Sequence, residues 1–311
     1  NNTEKRDFRP KRSKPRRRQG RRRPGFVLNR VASARHLALA KAGLNRADVP
    51  LLGHLPRDPA LLLPERHLGL VQADEQPSLA AAIATAAGHL AAHLDLGKLS
   101  AAAGPLAAGA NALCLPPLGQ RIAVASDIAF SFTYPHFLDD WRAAGAEILP
   151  FSPLKDEGPD PCADAVYLPG GYPELHAGRL AAAKRFCAGL RAAADGGALI
   201  YGECGGYMVL GKGLEDADGA RHQMLGLLPL ETSFRTRRRT LGYRKLTAKP
   251  GAPWAGRLMA HEFHYATVTH AGAVPPIFEA TDADGVPIPP MGQTVGRIAG
   301  SFAHVIAPAA R

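Results

Sequence analysis

The chain has 311 residues and is 46% hydrophobic, which is enough apolar material for one large core or two medium ones. Its formal net charge of +11 comes almost entirely from residues 1–24, where twelve Lys or Arg face two acidic residues, so the remainder is nearly neutral. No apolar run reaches the length of a membrane span. The four cysteines have neither metal-ligand nor disulfide spacing, which favours a reducing cytoplasm.

The basic tail at residues 1–24 is predicted to be disordered because it combines high charge with few apolar residues. It lacks the apolar segment of a secretory signal. An arginine-rich arm can touch nucleic acid or serve in targeting, but the near-neutral remainder argues against a nucleic-acid partner. A non-native start of the chain is the competing interpretation.

Predicted strands and helices alternate from residue 25 to residue 98. The predicted strands cover residues 25–31 and 49–56, and the predicted helices cover residues 34–42 and 79–96. This order is typical of an α/β domain with a parallel sheet. The Ala-, Gly- and Pro-rich stretch at residues 99–118 is predicted to be a linker.

A second α/β unit is predicted for residues 119–311. Its strands are predicted at 121–125, 147–149, 165–168 and 198–201, with helices at 137–144 and 177–194. Ligands of open α/β sheets gather at the carboxyl ends of the strands. Two glycine-rich loops, 169–174 and 202–206, follow predicted strands and therefore lie at such ends.

The second of these loops carries the strongest chemical signal in the sequence. Gly202-Glu203-Cys204-Gly205-Gly206 follows a short apolar strand, which is the cysteine form of a nucleophile elbow. Glycine two residues before and two after the cysteine leaves room for a tight, strained turn. Cys204 is therefore predicted to act in covalent catalysis.

A thiol needs a base and an oxyanion needs backbone N–H donors. His304, in a late strand-like segment, is the candidate base, although a lone histidine in such a setting is often structural. Gly170, Gly171 and Gly205 are the candidate donors or glutamine-binding positions, and a plain turn is the alternative for the first two.

Two further polar runs have open interpretations. His261-Glu262-Phe263-His264 does not have the HExxH spacing; in an extended chain His261 faces one side and Glu262 and His264 the other, so polar contacts to a substrate are favoured over metal binding. The run around Arg237 and Arg238 is either a solvated face or an attractant for carboxylates. The sequence contains no G-x-x-x-x-G-K-[ST] motif.

Taken together, these residues resemble the family of cobyrinic or hydrogenobyrinic acid a,c-diamide synthases of cobalamin biosynthesis. The resemblance runs in order from Gly25 to Val305. It is carried by the stretches GFVLNRVAS, PLLGHLPRDPALLLPERHLGLV, AFSFTYPHFLDDW, YLPGGYPELHA, YGECGGYMVLG, RRRTLGYRKL, MAHEFHYATV and GSFAHV.

The resemblance implies a dethiobiotin-synthetase-like ATPase domain, of which residues 25–98 would be the carboxyl-terminal remnant, followed by a flavodoxin-like class I glutamine amidotransferase domain at 119–311. It implies a carbon–nitrogen ligase that takes ammonia from glutamine, through Cys204 and His304, and uses ATP and Mg²⁺ to amidate a corrin polycarboxylate. The implied nucleotide-binding positions are Asn29 and Pro56. The implied substrate or interdomain positions are Glu65, Arg66, His67, Arg237, Arg238, His261, Glu262 and His264.

The sequence departs from the wider amidotransferase pattern at three points. Met208 replaces a glutamine, and Ile306 stands two residues after His304 where an acid is usual, both of which fit a Cys–His pair. The basic tail stands where a P-loop would precede Gly25, so we expect a truncated synthase that at most hydrolyses glutamine and does not amidate. A stand-alone cysteine hydrolase is the alternative function, and a homodimer and the metal content of the corrin stay open.

Overall fold

The structure, a computed structural model, describes residues 25–63, 65–66, 69–71, 73–104 and 114–309. The chain divides into two compact units, with the division between Ala108 and Gly109. The predicted basic tail at 1–24 and the middle of the predicted linker, 105–113, lie outside the described residues.

The first unit contains a parallel pair of strands with helices, as the predicted alternation indicates. Its elements are β1 (Phe26–Val31), α1 (Ala34–Arg46), β2 (Leu51–Pro56), β3 (Glu65–Arg66), β4 (Gly69–Leu70), α2 (Leu79–His93) and α3 (Leu96–Ala102). β1 and β2 pair in parallel. Helix α1 begins after Ser33, whose hydroxyl oxygen accepts the His36 backbone N–H at 3.2 Å.

The prediction of one helix over residues 79–96 is wrong at its end. Helix α2 stops at His93, Leu94 is extended, and Asp95 caps a new helix by accepting the Lys98 backbone N–H at 2.9 Å. An aspartate that bonds a backbone N–H three residues ahead favours a helix start over a helix interior. The stretch predicted as a linker from residue 99 therefore begins inside α3.

The second unit holds most of the regular structure. Its strands are β5 (Arg121–Ala125), β6 (Glu147–Phe151), β7 (Ala165–Leu168), β8 (Leu199–Glu203), β9 (Gly213–Glu215), β10 (Arg221–Gln223), β11 (Leu230–Ser233), β12 (Thr240–Ala248), β13 (Arg257–His264), β14 (Thr267–Ala271), β15 (Phe278–Thr281), β16 (Pro287–Met291), β17 (Gln293–Val295), β18 (Ile298–Ser301) and β19 (Ala303–Pro308). Its helices are α4 (Pro135–Ala143), α5 (Ala177–Ala182), α6 (Lys184–Asp195) and α7 (Gly205–Leu210). The predicted helix at 177–194 is thus two helices, since Ala183 leaves the helical conformation.

A six-stranded sheet in the order β17-β18-β8-β7-β5-β6 forms the centre of this unit, and all neighbours are parallel except β17 and β18. Its central strands are buried on both faces, which explains their continuous apolar sequences. Along β7, Val166 and Leu168 join one apolar cluster while Ala165 and Tyr167 join the other. The two clusters therefore fill the two faces of the sheet.

Two further sheets complete the unit. One is antiparallel, in the order β16-β15-β12-β13-β19, and the other is mixed, in the order β10-β9-β11-β14, with β9 and β11 parallel. The chain leaves the central sheet at the end of β18 and enters the five-stranded sheet at β19, with Phe302 between them. This crossing places the start of β19 at the carboxyl end of the parallel strands. None of the helices in the described ranges is long and apolar enough to cross a membrane.

Candidate active site

Cys204 lies on a strained turn between β8 and α7, as the Gly-x-Cys-x-Gly spacing predicts. Its backbone has φ 47° and ψ −102°, a conformation that residues with a side chain rarely adopt. β8 ends one residue before it and α7 begins one residue after it. Its backbone N–H donates to the carbonyl oxygen of Ser301 at 2.8 Å, which ties the turn to the end of β18.

Glycine is required at the turn because neighbouring backbone comes very close. A Cβ atom on Gly206 would lie 1.9 Å from the carbonyl oxygen of Leu168, at the end of β7. The Gly206 N–H donates to the carbonyl oxygen of Pro169 at 3.1 Å. The tight approach of α7 to the end of β7 therefore fixes the direction of the cysteine side chain.

The predicted oxyanion glycines occupy different positions. A Cβ atom on Gly205 would lie 3.0 Å from the Gly171 nitrogen, so these two backbones are in contact. Gly170 instead faces His304, since a Cβ there would lie 2.4 Å from the ring atom Cε1. The oxyanion role of these glycines stays a prediction.

The Cys204 thiol is only 3% exposed, and its sulfur lies 3.7 Å from the carbonyl oxygen of Phe263. Burial raises the pKa of the Cys204 thiol, and the charge of Glu174 raises it further. The Gly205 N–H acts in the opposite direction. Cys204 is therefore a neutral thiol, and to act as the predicted nucleophile it would need a base to remove its proton.

His304 lies in β19, opposite His261 in the register with β13. The two imidazole rings are stacked, with centroids 4.7 Å apart and planes within 5° of each other. Burial, with a contribution from His261 and His264, lowers the pKa of His304 to about 3. The ring is thus neutral at ordinary pH and able to accept a proton.

His261 links this pair to a tyrosine. The Tyr134 hydroxyl and the His261 Nε2 form a hydrogen bond, and burial raises the pKa of Tyr134 to about 12. Burial also lowers the pKa of His261. Tyr134, His261 and His304 therefore form a continuous row of neutral polar rings.

Glu262 and His264 form a compact network of their own on β13. Arg244 donates from Nε and a terminal nitrogen to Glu262 Oε2 at 2.9 and 2.8 Å, and His264 Nε2 lies 3.0 Å from Oε1. Although burial opposes it, these two neighbours hold the pKa of Glu262 below its usual value. The polar atoms of this network are thus satisfied within the five-stranded sheet.

Two buried acids at this site have no role in the sequence prediction. Glu174 lies in the loop after β7, and burial raises its pKa to about 7 while Arg237 partly opposes the shift. Glu203 directly precedes Cys204, and burial raises the pKa of Glu203 to about 7 as well. Both lie inside motifs that the sequence singles out, but their burial depends on contacts from distant strands.

The other predicted positions are not assembled around Cys204 and His304. Arg238 is exposed and donates its backbone N–H to Tyr265 at 3.1 Å. Arg237 is exposed as well, and only its charge reaches Glu174. The binding roles predicted for both arginines stay predictions.

The remaining predicted positions belong to the first unit. Asn29 lies in β1 and Pro56 ends β2, so both lie on the adjacent parallel strands. Glu65 and Arg66 form β3, whose side chains are not described, and His67 lies outside the described residues.

The described residues do not fit an ATP–Mg²⁺ site. In those ranges no group of three or more His, Cys, Asp or Glu side chains is placed to hold a metal ion. The sequence also lacks the P-loop motif that would cradle phosphates.

The chain is similar to proteins that share one name, hydrogenobyrinate a,c-diamide synthase. It is 54% identical over 282 residues to a hydrogenobyrinate a,c-diamide synthase of Rhizobium meliloti (strain 1021), and 55% identical over 285 residues to one of Sinorhizobium sp. Both matches cover 91% of this chain and 66% of the relative, so the chain spans just under two thirds of the length of these relatives.

A structure of PurLQS from Thermotoga maritima is 19% identical, with a TM-score of 0.40 over 59% of this chain and 86% of that chain. A TM-score of 0.40 is too low to infer a shared fold. Residues 121–311 match the family described as the CobB/CobQ-like glutamine amidotransferase domain. This match covers the elbow at Cys204, His304 and the central parallel sheet. The chain belongs to the CobB/CobQ-like glutamine amidotransferase family.

Proposed function

We propose that the second unit hydrolyses glutamine to glutamate and ammonia. The observation that carries this proposal is the strained, buried Cys204 at the end of β8, held beside the end of β18 that leads to His304. Family membership favours this reaction over the alternative of an unrelated stand-alone cysteine hydrolase.

In the proposed reaction the Cys204 sulfur attacks the side-chain amide carbon of glutamine while His304 takes the thiol proton. The carbon–nitrogen bond then breaks, and the protonated His304 gives its proton to the leaving nitrogen, so ammonia departs and a thioester remains. Water, deprotonated by His304, attacks the thioester and releases glutamate, and the thiol regains its proton. The neutral state of buried His304 suits the first of these steps.

The negative charge that develops on the substrate oxygen needs nearby backbone donors. Gly171 and Gly205 have contacting backbones next to the thiol, so we assign the oxyanion hole to their N–H groups. For the free amino acid end of glutamine we assign Glu174 to the ammonium group and Arg237 to the carboxylate. Glu174 acts electrostatically on Cys204, and the charge of Arg237 reaches Glu174.

For the whole protein we propose the reaction that names its relatives, the amidation of the a and c carboxylates of hydrogenobyrinate, a cobalt-free corrin. In this proposal glutamine supplies the ammonia and ATP supplies the activation of each carboxylate. Transfer of amide ¹⁵N from labelled glutamine to hydrogenobyrinate, measured with the full-length protein, tests this assignment. Incorporation only into a cobalt corrin would overturn it.

The glutaminase proposal is tested by measuring glutamate released from glutamine by the purified 311-residue chain. We expect steady release that falls to background in Cys204→Ala, because the nucleophile is lost. Cys187→Ala is the matched control, since Cys187 is a free, half-buried cysteine outside the site, and it should keep the parental rate. Undiminished release by Cys204→Ala would contradict the proposal.

A further inference from the structure

Glu203 is a buried acid next to the nucleophile whose carboxylate also faces the base. Its side chain has 0% exposure. One carboxylate oxygen, Oε1, accepts the Val305 backbone N–H at 3.2 Å, and the other, Oε2, accepts the Tyr167 hydroxyl at 2.9 Å. The same Oε2 lies 3.8 Å from Nδ1 of His304.

The Nδ1 atom of His304 is itself buried and has no hydrogen-bond partner. Leaving such an atom unpaired is costly in a protein interior. Closing the 3.8 Å gap to a normal hydrogen bond of about 3 Å needs a shift of less than about 1 Å, which a ring rotation can supply. The Glu203 carboxylate therefore lies where the missing acceptor would be.

The other groups around His304 do not offer such an acceptor. His261 stacks on the face of the ring, which is not the direction of the Nδ1 hydrogen. On the same strand Glu262 is occupied by Arg244 and His264. Gly170, on the loop after β7, contributes no side chain, and Tyr134 bonds to His261.

We propose that Glu203 is the positioning residue of the base: it accepts a hydrogen bond from Nδ1–H of His304 and thereby leaves Nε2 free to take the thiol proton. This inference rests on the proposed glutaminase function. An acid two residues after the histidine could do the same, but that position is Ile306 here. The acid instead comes from the residue before the nucleophile.

Glu203→Gln is a sharp test because an amide has only one acceptor oxygen. That oxygen is held by the Val305 N–H, so the amide nitrogen is left facing Tyr167 and His304. An N–H group opposite Nδ1 forces the imidazole proton to Nε2, which is the wrong tautomer for a base. We expect the kcat for glutamine hydrolysis to fall by at least about 100-fold, with a KM within about threefold of the parent.

The second measurement reads the tautomer directly and does not depend on turnover. The chain labelled with ¹⁵N-histidine has twelve histidines, and the His304 signals are assigned by their loss in His304→Asn. We expect Nδ1–H with an unprotonated Nε2 in the parent and the reverse in Glu203→Gln. This readout would not move if Glu203 only supported the fold.

The matched control is Asp164→Asn, which also replaces a carboxylate that accepts two hydrogen bonds with an amide. Asp164 accepts from Gln120 and Arg121, both at 3.0 Å, at the start of β7 rather than at its carboxyl end. It should lose stability but keep the parental kcat and His304 tautomer. This comparison separates a loss of folding from a loss of positioning.

The outcomes separate this inference from the glutaminase proposal. If the parent has no glutaminase activity, the proposed function is wrong. The tautomer of His304 in the parent still shows whether Glu203 accepts a hydrogen bond from its Nδ1–H. Parental kcat in folded Glu203→Gln, or an Nε2–H tautomer in the parent, overturns the inference. If Glu203→Gln does not fold, the parental tautomer alone decides between the two results.

Discussion

The missing side chain of Gly170 lets the His304 ring lie where it does. A methyl group at that position would meet the ring at 2.4 Å. Real Cβ contacts are never this short, so the ring would have to move. At the scale of single residues, the site thus depends on a glycine that leaves space for the His304 ring as well as on the side chains with reactive atoms.

Gly170→Ala should therefore reduce glutamine hydrolysis by about 100-fold, because a displacement of about 1 Å in a catalytic group has this effect. Glutamate release by the purified variant measures the loss. Gly178→Ala is the matched control, since a Cβ there would have an ordinary contact of 3.7 Å with His222. Equal rates for the two variants would show that His304 does not occupy this position during catalysis.

The buried His304 also predicts how stability depends on pH. Its folded pKa of about 3 lies below the unfolded value of 6.5, so the unfolded chain binds the extra proton. The contribution of His304 to the free energy of unfolding should therefore be constant above about pH 6.5 and decrease as the pH drops towards 3. Glu203, whose pKa is raised to about 7, acts in the opposite direction.

Urea unfolding of the parent and of His304→Asn at pH 7 and pH 5 tests this sign. We expect the parent to lose about 2 kcal/mol more than the variant over this range. The same loss in both chains would mean that His304 is charged, or exposed, in the folded protein.

At the scale of elements, β13 serves two purposes on its two sides. His261 stacks on His304, while the next residue, Glu262, joins Arg244 and His264 in a network that stabilises the sheet. Because side chains alternate along a strand, the sequence alone predicts that His261 and Glu262 point to opposite sides of β13. The sequence does not predict the residues that each of them contacts, because those residues lie on β12 and β19.

Arg244→Ala should destabilise the protein by about 3–5 kcal/mol, because it leaves the Glu262 carboxylate buried without its cation. Thermal or urea unfolding measures this change. Lys245→Ala, the exposed neighbour on β12, is the control and should change stability by less than about 0.5 kcal/mol. A small effect at Arg244 would show that the network contributes little to the folded state.

At the scale of the whole molecule, the second unit contains both apolar clusters and all of the proposed glutaminase residues. Every residue of the two clusters lies between Leu115 and Val305. A unit with its own core is expected to fold alone.

The fragment Gly109–Arg311 should therefore unfold in one cooperative transition and release glutamate from glutamine at a rate close to that of the full chain. Circular dichroism on heating and the glutamate assay measure the two properties. The same fragment with Cys204→Ala is the control for activity. A fragment without a cooperative transition would contradict the independence of this unit.

The sequence alone was sufficient for the α/β alternation, the parallel central strands and the elbow at Cys204, whereas the pairing of this cysteine with His304 stays a prediction. These features follow from local periodicity, glycine spacing and motif order, all of which are written along the chain. The ends of α2 and α5 were missed because caps at Asp95 and the turn at Ala183 override an alanine-rich helical pattern.

Only the tertiary structure decided which polar groups meet. Glu203 and Glu174 stand in recognisable motifs, but their burial results from strands that are distant in sequence. The stacking of His261 on His304 arises because β19 pairs with β13 after the chain crosses between sheets. Burial and pairing of this kind are properties of the packed chain, so no local pattern encodes the protonation state of the base or the acid that faces it.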